Sequence, residues 1–459
     1  MKIWEKIKID LNESSDLVIK EQGKVRILFL ESLCDSNKIN EFILKTLAIN
    51  KKKNLKDILA GPNTKEVATY KEILSYLFNG FAIIIGNKIY AIEVKGNLVR
   101  SVEKPTAETD IYGPKDSFNE SIQSNLGLIK RRIKDEHLIN DDFFIGRITK
   151  NKLSVVYLNN VAEIELVKKI EEKISKIDVD GVGAVGNIKQ FLSSEVRSPL
   201  PTIIETERPD FVCNSLMEGK IIIIMDNTPF SLIMPAFFVD FINPPTDQYF
   251  KNININFLKI VRFLCLIITL TAPALYIALI NYNQESIPLQ LLTSFASQRQ
   301  GVPFPSAIEA LLMLITSIIL RESDIRFPSS YGSSVSIVGA LILGNAAVAA
   351  GLISPIMIIV VALSFITSMV FTDLEMINCV RTFRFLLLIF TIFLGLYGMY
   401  FGILLFLIHI SNLKSLDKPY TYPLAPFDKT YFNKTLIRTR RINDTKRSRM
   451  LTKNITKGN

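Results

Sequence analysis

The stretch FLCLIITLTAPALYIALI, residues 263–280, runs for eighteen residues without a charge. A helix needs roughly 20 apolar residues to cross about 30 Å of hydrocarbon, so this run and its flanks are long enough to span a bilayer. Pro273 is expected to kink it. Lys251, Lys259 and Arg262 precede it, and four further apolar segments follow at 304–320, 333–353, 354–371 and 383–410. The first of these carries Glu309, the second is rich in Gly, Ala and Ser, and Ser354-Pro355 breaks the chain before the third. Residues 257–410 therefore read as a helical transmembrane domain.

Five crossings would place the chain's two ends on opposite sides. That conflicts with the basic residues after Ser411, because Lys and Arg beside a span mark the cytoplasmic face. Lys414, Lys418, Lys434, Arg438, Arg440, Arg441 and their neighbours face only Asp417, Asp428 and Asp444. Four crossings are expected, with the Glu309 segment re-entrant or interfacial. Residues 411–459 are then a basic cytoplasmic tail drawn to anionic membrane lipid. The net charge of +10 is not a nucleic-acid signature, since aromatic and basic residues do not interleave in the N-terminal half.

Upstream of the apolar runs, strand and helix patterns alternate. Strands are expected at 25–30, 81–85 and 88–94, the last two around a Gly86-Asn87 turn, with helices at 39–48 and 71–78. After a polar, proline-containing link at 103–114, helices are expected at 117–134, 164–177 and 230–241, and strands at 153–158 and 221–225. Lys130-Arg131-Arg132 reads as a solvated helix face, with a subunit contact or anionic headgroup binding as the alternatives. Asp226-Asn227-Thr228-Pro229 supplies a turn, with Asn227 left-handed and Pro229 opening a helix. The fold class is α/β (α+β): a soluble N-terminal region of two subdomains, 1–102 and 103–256, the second with a sheet parallel in part. A polytopic all-α transmembrane domain follows. The charged N-terminus has no apolar h-region, so the soluble half is expected in the cytoplasm.

Catalysis finds no support. Cys34, Cys213, Cys265 and Cys379 lack metal-ligand or disulfide spacing, and His137 and His409 are the only histidines. Phosphate-binding loops and nucleophile elbows are absent. No enzyme activity, cofactor or metal is expected.

Several separated blocks, in order, resemble the A subunit of the GerA-family spore germinant receptors. They include 198–202 (SPLPT), Thr206-Glu207-Arg208-Pro209-Asp210, Glu218-Gly219-Lys220 and Asp226-Asn227-Thr228-Pro229-Phe230. Gly301-Val302-Pro303-Phe304-Pro305 with Glu309-Ala310-Leu311, the run 335–355 and Pro423 to Phe427 continue the pattern. Asn227 stands where the pattern expects Gly, which the same left-handed preference tolerates. The resemblance covers the chain from about Tyr112 onward. It implies a multi-pass protein of the spore inner membrane that acts with a transporter-like B subunit and a lipoprotein C subunit. It also implies homo-oligomers forming a ligand-gated channel for monovalent cations. A non-conducting scaffold or accessory protein is the alternative, and a secondary transporter is weaker because no repeat of broken helices is evident.

Within that frame Glu309 lies either near a cation path or in a helix first turn, where carboxylates are favoured. Ser336, Gly344 and Asn345 lie on a segment that packs against other helices or lines a pore. Arg208 and Asp210, around Pro209, form either a ligand contact or a buried pair and helix cap.

Overall fold

Two five-stranded sheets of the same strand order build the N-terminal half. The structure, a computed structural model, describes residues 3–11, 14–22, 25–49, 64–96, 112–193, 198–326, 344–439, 445–452 and 454–457. The first sheet comprises β1 (Leu17–Gln22), β2 (Val25–Leu30), β3 (Thr64–Val67), β4 (Phe81–Ile85) and β5 (Ile89–Glu93), in the order β1-β2-β4-β5-β3. The second comprises β6 (Leu138–Ile145), β7 (Asn151–Leu158), β8 (Ile204–Thr206), β9 (Ile221–Met225) and β10 (Ser231–Met234), in the order β6-β7-β9-β10-β8.

Helices occupy matching places in the two units. In the first, α1 (Ile3–Asp10), α2 (36–49) and α3 (Tyr70–Phe78) precede β1, β3 and β4. In the second, α4 (Ile122–Arg132) precedes β6, α5 (Ile164–Ser175) and α6 (Val185–Leu192) precede β8, and α7 (Pro209–Met217) precedes β9. Both α3 and α7 lead to a glycine of positive φ, Gly80 and Gly219, ahead of the next strand.

Every described strand pair is antiparallel, which corrects the partly parallel sheet expected from the sequence. The misreading has a physical cause. All of β9 is buried, with Ile222 and Ile224 facing one apolar cluster and Ile221, Ile223 and Met225 the other. A strand covered on both faces loses its polar alternation and resembles a parallel one. Each such side chain contributes about 1.5–3 kcal/mol through burial.

The helix expected over 230–241 is also corrected. Ser231–Met234 is β10, paired with β9 and β8, and helix returns only at α8 (Phe238–Ile242). Pro229 therefore precedes a strand, while Asn227 does take a left-handed φ of 65°. Of the expected polar link, residues 103–111 lie outside the described residues.

A buried polar node joins the two units. The Lys130 ammonium, 3% exposed, pairs with Asp16 and donates to Asn140 Oδ1 at 3.1 Å. Asp16 also accepts from Ser32 N and Oγ at 2.8 and 2.7 Å, and Ser14 Oγ donates to Asn140 at 2.8 Å. Lys130 is thus a buried tie. Only Arg131 and Arg132 of that cluster are exposed.

The C-terminal half is helical: α9 (Asn252–Asn281), α10 (Leu289–Arg299), α11 (Ser306–Arg326), α12 (Pro355–Ser368) and α13 (Leu374–Asn412), with residues 344–349 also helical. Two of these, α9 and α13, are long and apolar enough to cross a membrane. α13 is not one rod. At Gly395 the backbone takes φ 59° and ψ −139°, and two helical arms, 374–394 and 396–412, fold back on each other. Phe383 and Phe406 rings lie 4.7 Å apart, and Phe390 meets Phe401 at 5.4 Å. In a straight helix residues 383 and 406 would be about 34 Å apart. The apolar run 383–410, read as one segment, is therefore a hairpin with both ends toward the soluble half.

One apolar cluster runs from the second sheet into this bundle, linking Ile222, Ile224 and Ile233 with Leu266, Leu270, Met376, Phe406 and Ile410. The residues after α13 also return to the second unit. Leu416, Tyr420, Tyr422, Leu451 and, in α14 (Lys429–Thr435), Tyr431 are buried. Ser415 Oγ accepts from Ala236 N and donates to Thr202 O, at 3.1 and 2.8 Å. Lys418 pairs with Glu163, and Lys434 and Lys457 share Glu218. Those tail cations are held by acids of the soluble half, where the sequence suggested lipid.

Candidate functional site

The motif residues of the soluble half meet at one edge of the second sheet. Thr206, which closes β8, lies opposite Ser231 of β10, so 206–210 and 226–230 become neighbours. Ser231 Oγ reinforces the pairing by donating to Thr206 O at 3.1 Å. Pro209 opens α7, where a missing N–H costs nothing. Arg208 and Asp210, 2% and 6% exposed, form a two-pronged ion pair at 3.1 and 2.7 Å. Asp210 Oδ2 also accepts from the Tyr249 hydroxyl at 2.5 Å and Gln248 Nε2 at 3.2 Å. Burial works against the Asp210 charge, but Arg208 and Tyr249 hold its carboxyl below the usual range.

Both motif blocks grip the chain entering α4. Glu207 O accepts from Phe118 N at 2.8 Å, and Asp226 Oδ1 accepts from Ile122 N at 3.0 Å. Asn227 N donates to Glu120 O at 2.7 Å. Thr228 Oγ1 accepts from Phe230 N at 3.4 Å and steadies the turn. Since α4 also carries Lys130, these residues orient the helix that ties the two soluble units.

A second constellation joins the soluble half to the hairpin. Lys189 Nζ lies 2.5 Å from Glu205, in β8, and 2.8 Å from Glu375, in the first turn of α13. Burial disfavours the Lys189 charge, yet the two carboxylates raise its pKa above the ordinary lysine value. On the returning arm His409 Nε2 shares a hydrogen bond with Ser198 Oγ at 2.9 Å. Asp373 caps the outgoing arm through Met376 N at 2.7 Å. Both arms are thus fastened to the soluble half.

Within the bundle Glu309 is fully buried. Its Oε2 accepts from Ser354 N and Oγ at 2.9 and 2.7 Å, capping the start of α12, and its Oε1 lies 3.5 Å from the Arg299 guanidinium. Glu309 stands in the first turn of α11, as one reading of the sequence had it, and its carboxylate also caps the N-terminus of α12, which neither reading contained. Ser306 Oγ donates to Asn281 at 2.7 Å, so α11 starts beside the far end of α9. Nearer the soluble half, Arg384 is 2% exposed and donates to Ser364 Oγ at 2.8 Å, while Thr269 and Thr367 hydroxyls meet at 2.8 Å. Gly344 has open space where a Cβ would stand, and Asn345 is exposed. Ser336 lies outside the described residues.

The sequence reading passed over Arg299, Arg384 and Lys189. For Arg384 the signal was present, a lone cation one residue inside the apolar run 383–410. Among the described residues no cluster of His, Cys, Asp or Glu has the geometry of a metal site.

Comparison with known proteins gives a consistent set of likenesses. The family described as "Bacillus/Clostridium GerA spore germination protein" matches residues 5–450. Spore germination protein KA of Bacillus subtilis (strain 168) is 34% identical over 438 residues, covering 92% of this chain and 80% of that protein. Spore germination protein GerLA of Bacillus cereus is 32% identical over 444 residues, covering 92% and 90%. The crystal structure of the N-terminal domain of the A subunit of the Bacillus megaterium spore germinant receptor GerK3 is 28% identical, with a TM-score of 0.40. It covers 51% of this chain and 94% of that one.

Proposed function

The chain belongs to the GerA spore germination protein family, and on that premise we propose that it is a nutrient germinant receptor A subunit whose copies assemble into a ligand-gated cation channel. The observation that carries the channel reading is the outward placement of small residues. Asn345, Ala346, Ala349 and Ala350 are exposed, and a Cβ at Gly344 would stand in open space. Lipid gains nothing from small side chains, whereas a second helix gains close approach. Copies gathered about an axis would bring these faces together, leaving Asn345 to wet a central path.

The proposed setting is the spore inner membrane, crossed an even number of times, with the soluble half and the C-terminal residues in the cytoplasm. The hairpin at Gly395 and the packing of the C-terminal residues on the second sheet support this sidedness. The partners are a transporter-like B subunit that receives the nutrient and a lipoprotein C subunit. Gating is a population shift: nutrient binding in the partner favours one arrangement of the helices, transmitted through the Lys189–Glu375 and Ser198–His409 links.

The test is cation efflux from liposomes holding the assembled receptor, with and without nutrient. Nutrient-dependent efflux that changes on Asn345→Phe while oligomers persist supports the channel. Intact oligomers that never pass cations would leave the non-conducting scaffold in its place.

A further inference from the structure

The foot of α9 is built inside out. Lys259, 7% exposed, donates to Thr435 O, and Arg262 pairs with Asp247 at 2.6 and 2.8 Å. Asn256 accepts from Arg438 N at 2.7 Å and donates to Arg438 O at 3.2 Å. These polar groups point into the protein. The outer face carries Ile253, Phe257 and Ile260, which are 85%, 66% and 62% exposed, and continues through Leu264 and Ile267. A helix facing water has the opposite arrangement, so this face is made for an apolar neighbour. Among the described residues nothing covers it.

Depth decides what that neighbour is. The Tyr282 hydroxyl donates to Ile392 O, and the Tyr282 ring packs on Gly395, so the end of α9 and the turn of the hairpin share one level. Counted back from there, twenty residues of helix, about 30 Å, cross the hydrocarbon and end at Arg262. On the returning arm the exposed polar residues Ser411 and Asn412 stand about 25 Å from the turn, which sets a similar boundary. Ile260, Phe257 and Ile253 lie beyond Arg262 by about 3, 8 and 14 Å, outside the reach of acyl chains. The apolar neighbour at the foot of α9 is therefore protein.

Spacing and charge decide which protein. Ile253, Phe257, Ile260, Leu264 and Ile267 recur at steps of four and three, the seam along which one helix packs on another. Asn254, Asn256, Val261 and Phe263 flank the seam, none of them charged, while Lys259 and Arg262 turn away from it. A copy of this helix would meet no like charge across the seam, and each copy presents it at the same depth and in the same direction. We propose that the foot of α9 packs along α9 of a second copy, in parallel and in register, through these five residues. The inference deepens the assembly proposed above and rests on its membrane placement, but it does not require conduction.

The test replaces Phe257 with photoreactive benzoylphenylalanine in the full-length protein and irradiates it in membranes. A covalent dimer is expected, with the attachment mapped by mass spectrometry to residues 253–267 of the second chain. The same replacement at Phe144, 72% exposed on β6, should give no dimer. Adding Ile253→Lys and Ile260→Lys sets like charges across the seam and should cut the dimer about tenfold, with the unfolding midpoint in detergent unchanged. Absence of the dimer, attachment only to phospholipid, to another protein or outside α9, an undiminished yield in the lysine variant, or an equal yield from Phe144 overturns the proposal. A dimer in membranes that pass no cations refutes the channel alone, and nutrient-dependent efflux without the dimer refutes the seam alone.

Discussion

Replacing Gly398 with Ala should open the hairpin of α13. A Cβ built on Gly398 falls against Phe390 O, a backbone atom that cannot swing aside. The arms would have to separate by more than an ångström, costing the contacts of Phe383 with Phe406 and of Phe390 with Phe401. Each aromatic pair is worth about 0.5–1.5 kcal/mol beyond area burial, so roughly 1–3 kcal/mol is at stake. Gly395→Ala acts differently, forcing an alanine into a φ/ψ region used essentially by glycine, at about 1–3 kcal/mol. Its Cβ would also sit 2.7 Å from Tyr282 Cγ. Gly402→Ala is the control, since its nearest neighbour is the movable Leu387 side chain at 3.3 Å. The assay is crosslinking of Phe383→Cys with Phe406→Cys in a background lacking the four native cysteines, together with thermal unfolding in detergent. The parent and Gly402→Ala should crosslink and Gly398→Ala should not. A parent that fails to crosslink, or Gly398→Ala as stable as Gly402→Ala, would refute the hairpin.

Three other perturbations address other joints. Glu309→Ala should lower stability by about 3–5 kcal/mol, because Arg299 loses its buried partner and α12 its cap, whereas Glu309→Gln, which still accepts from Ser354, should cost less; unfolding midpoints of the two variants decide it. Lys130→Ala should cost a similar amount and expose the first unit to protease, and adding Asp16→Asn should recover part of the loss; full additivity of the two changes would count against the tie. Lys189 has a folded pKa raised above its unfolded value near 10.4, so its contribution is complete below that pH and falls away as pH climbs through the folded value. Lys189→Met should therefore flatten the alkaline limb of the stability profile, and an unchanged limb would contradict the assignment.

Local signals carried much of the fold. The strands at β2 and β9 match their apolar runs, and α3 matches its amphipathic stretch. What the sequence hid was non-local. Glu218 lies more than two hundred residues from the lysines it neutralises, so the C-terminal cations looked free. Gly395 resembles any other glycine in an apolar run until its partner arm is known. The doubled topology did leave a trace: Gly80 before Phe81-Ala82-Ile83-Ile84 and Gly219 before Lys220-Ile221-Ile222-Ile223 share one helix-stop and strand-start. Reading those two stretches together would have indicated two copies of one antiparallel unit. The candidate site was legible as motif blocks, but the hydrogen-bond donors that give them roles, Tyr249 for Asp210 and Ser354 for Glu309, could be assigned only from the fold.

The seating of Leu451 against Gly219 has a temporal consequence. A Cβ at that glycine would press on Leu451 O at 2.9 Å, so a segment made more than two hundred residues later fills a slot beside α7. Until it emerges, the second sheet waits with one flank bare while the apolar helices between are already made. Assembly of this polypeptide closes like a clasp, and a nascent chain stopped before Leu451 would leave the sheet-built half, rather than the helical half, as the part that quality control sees.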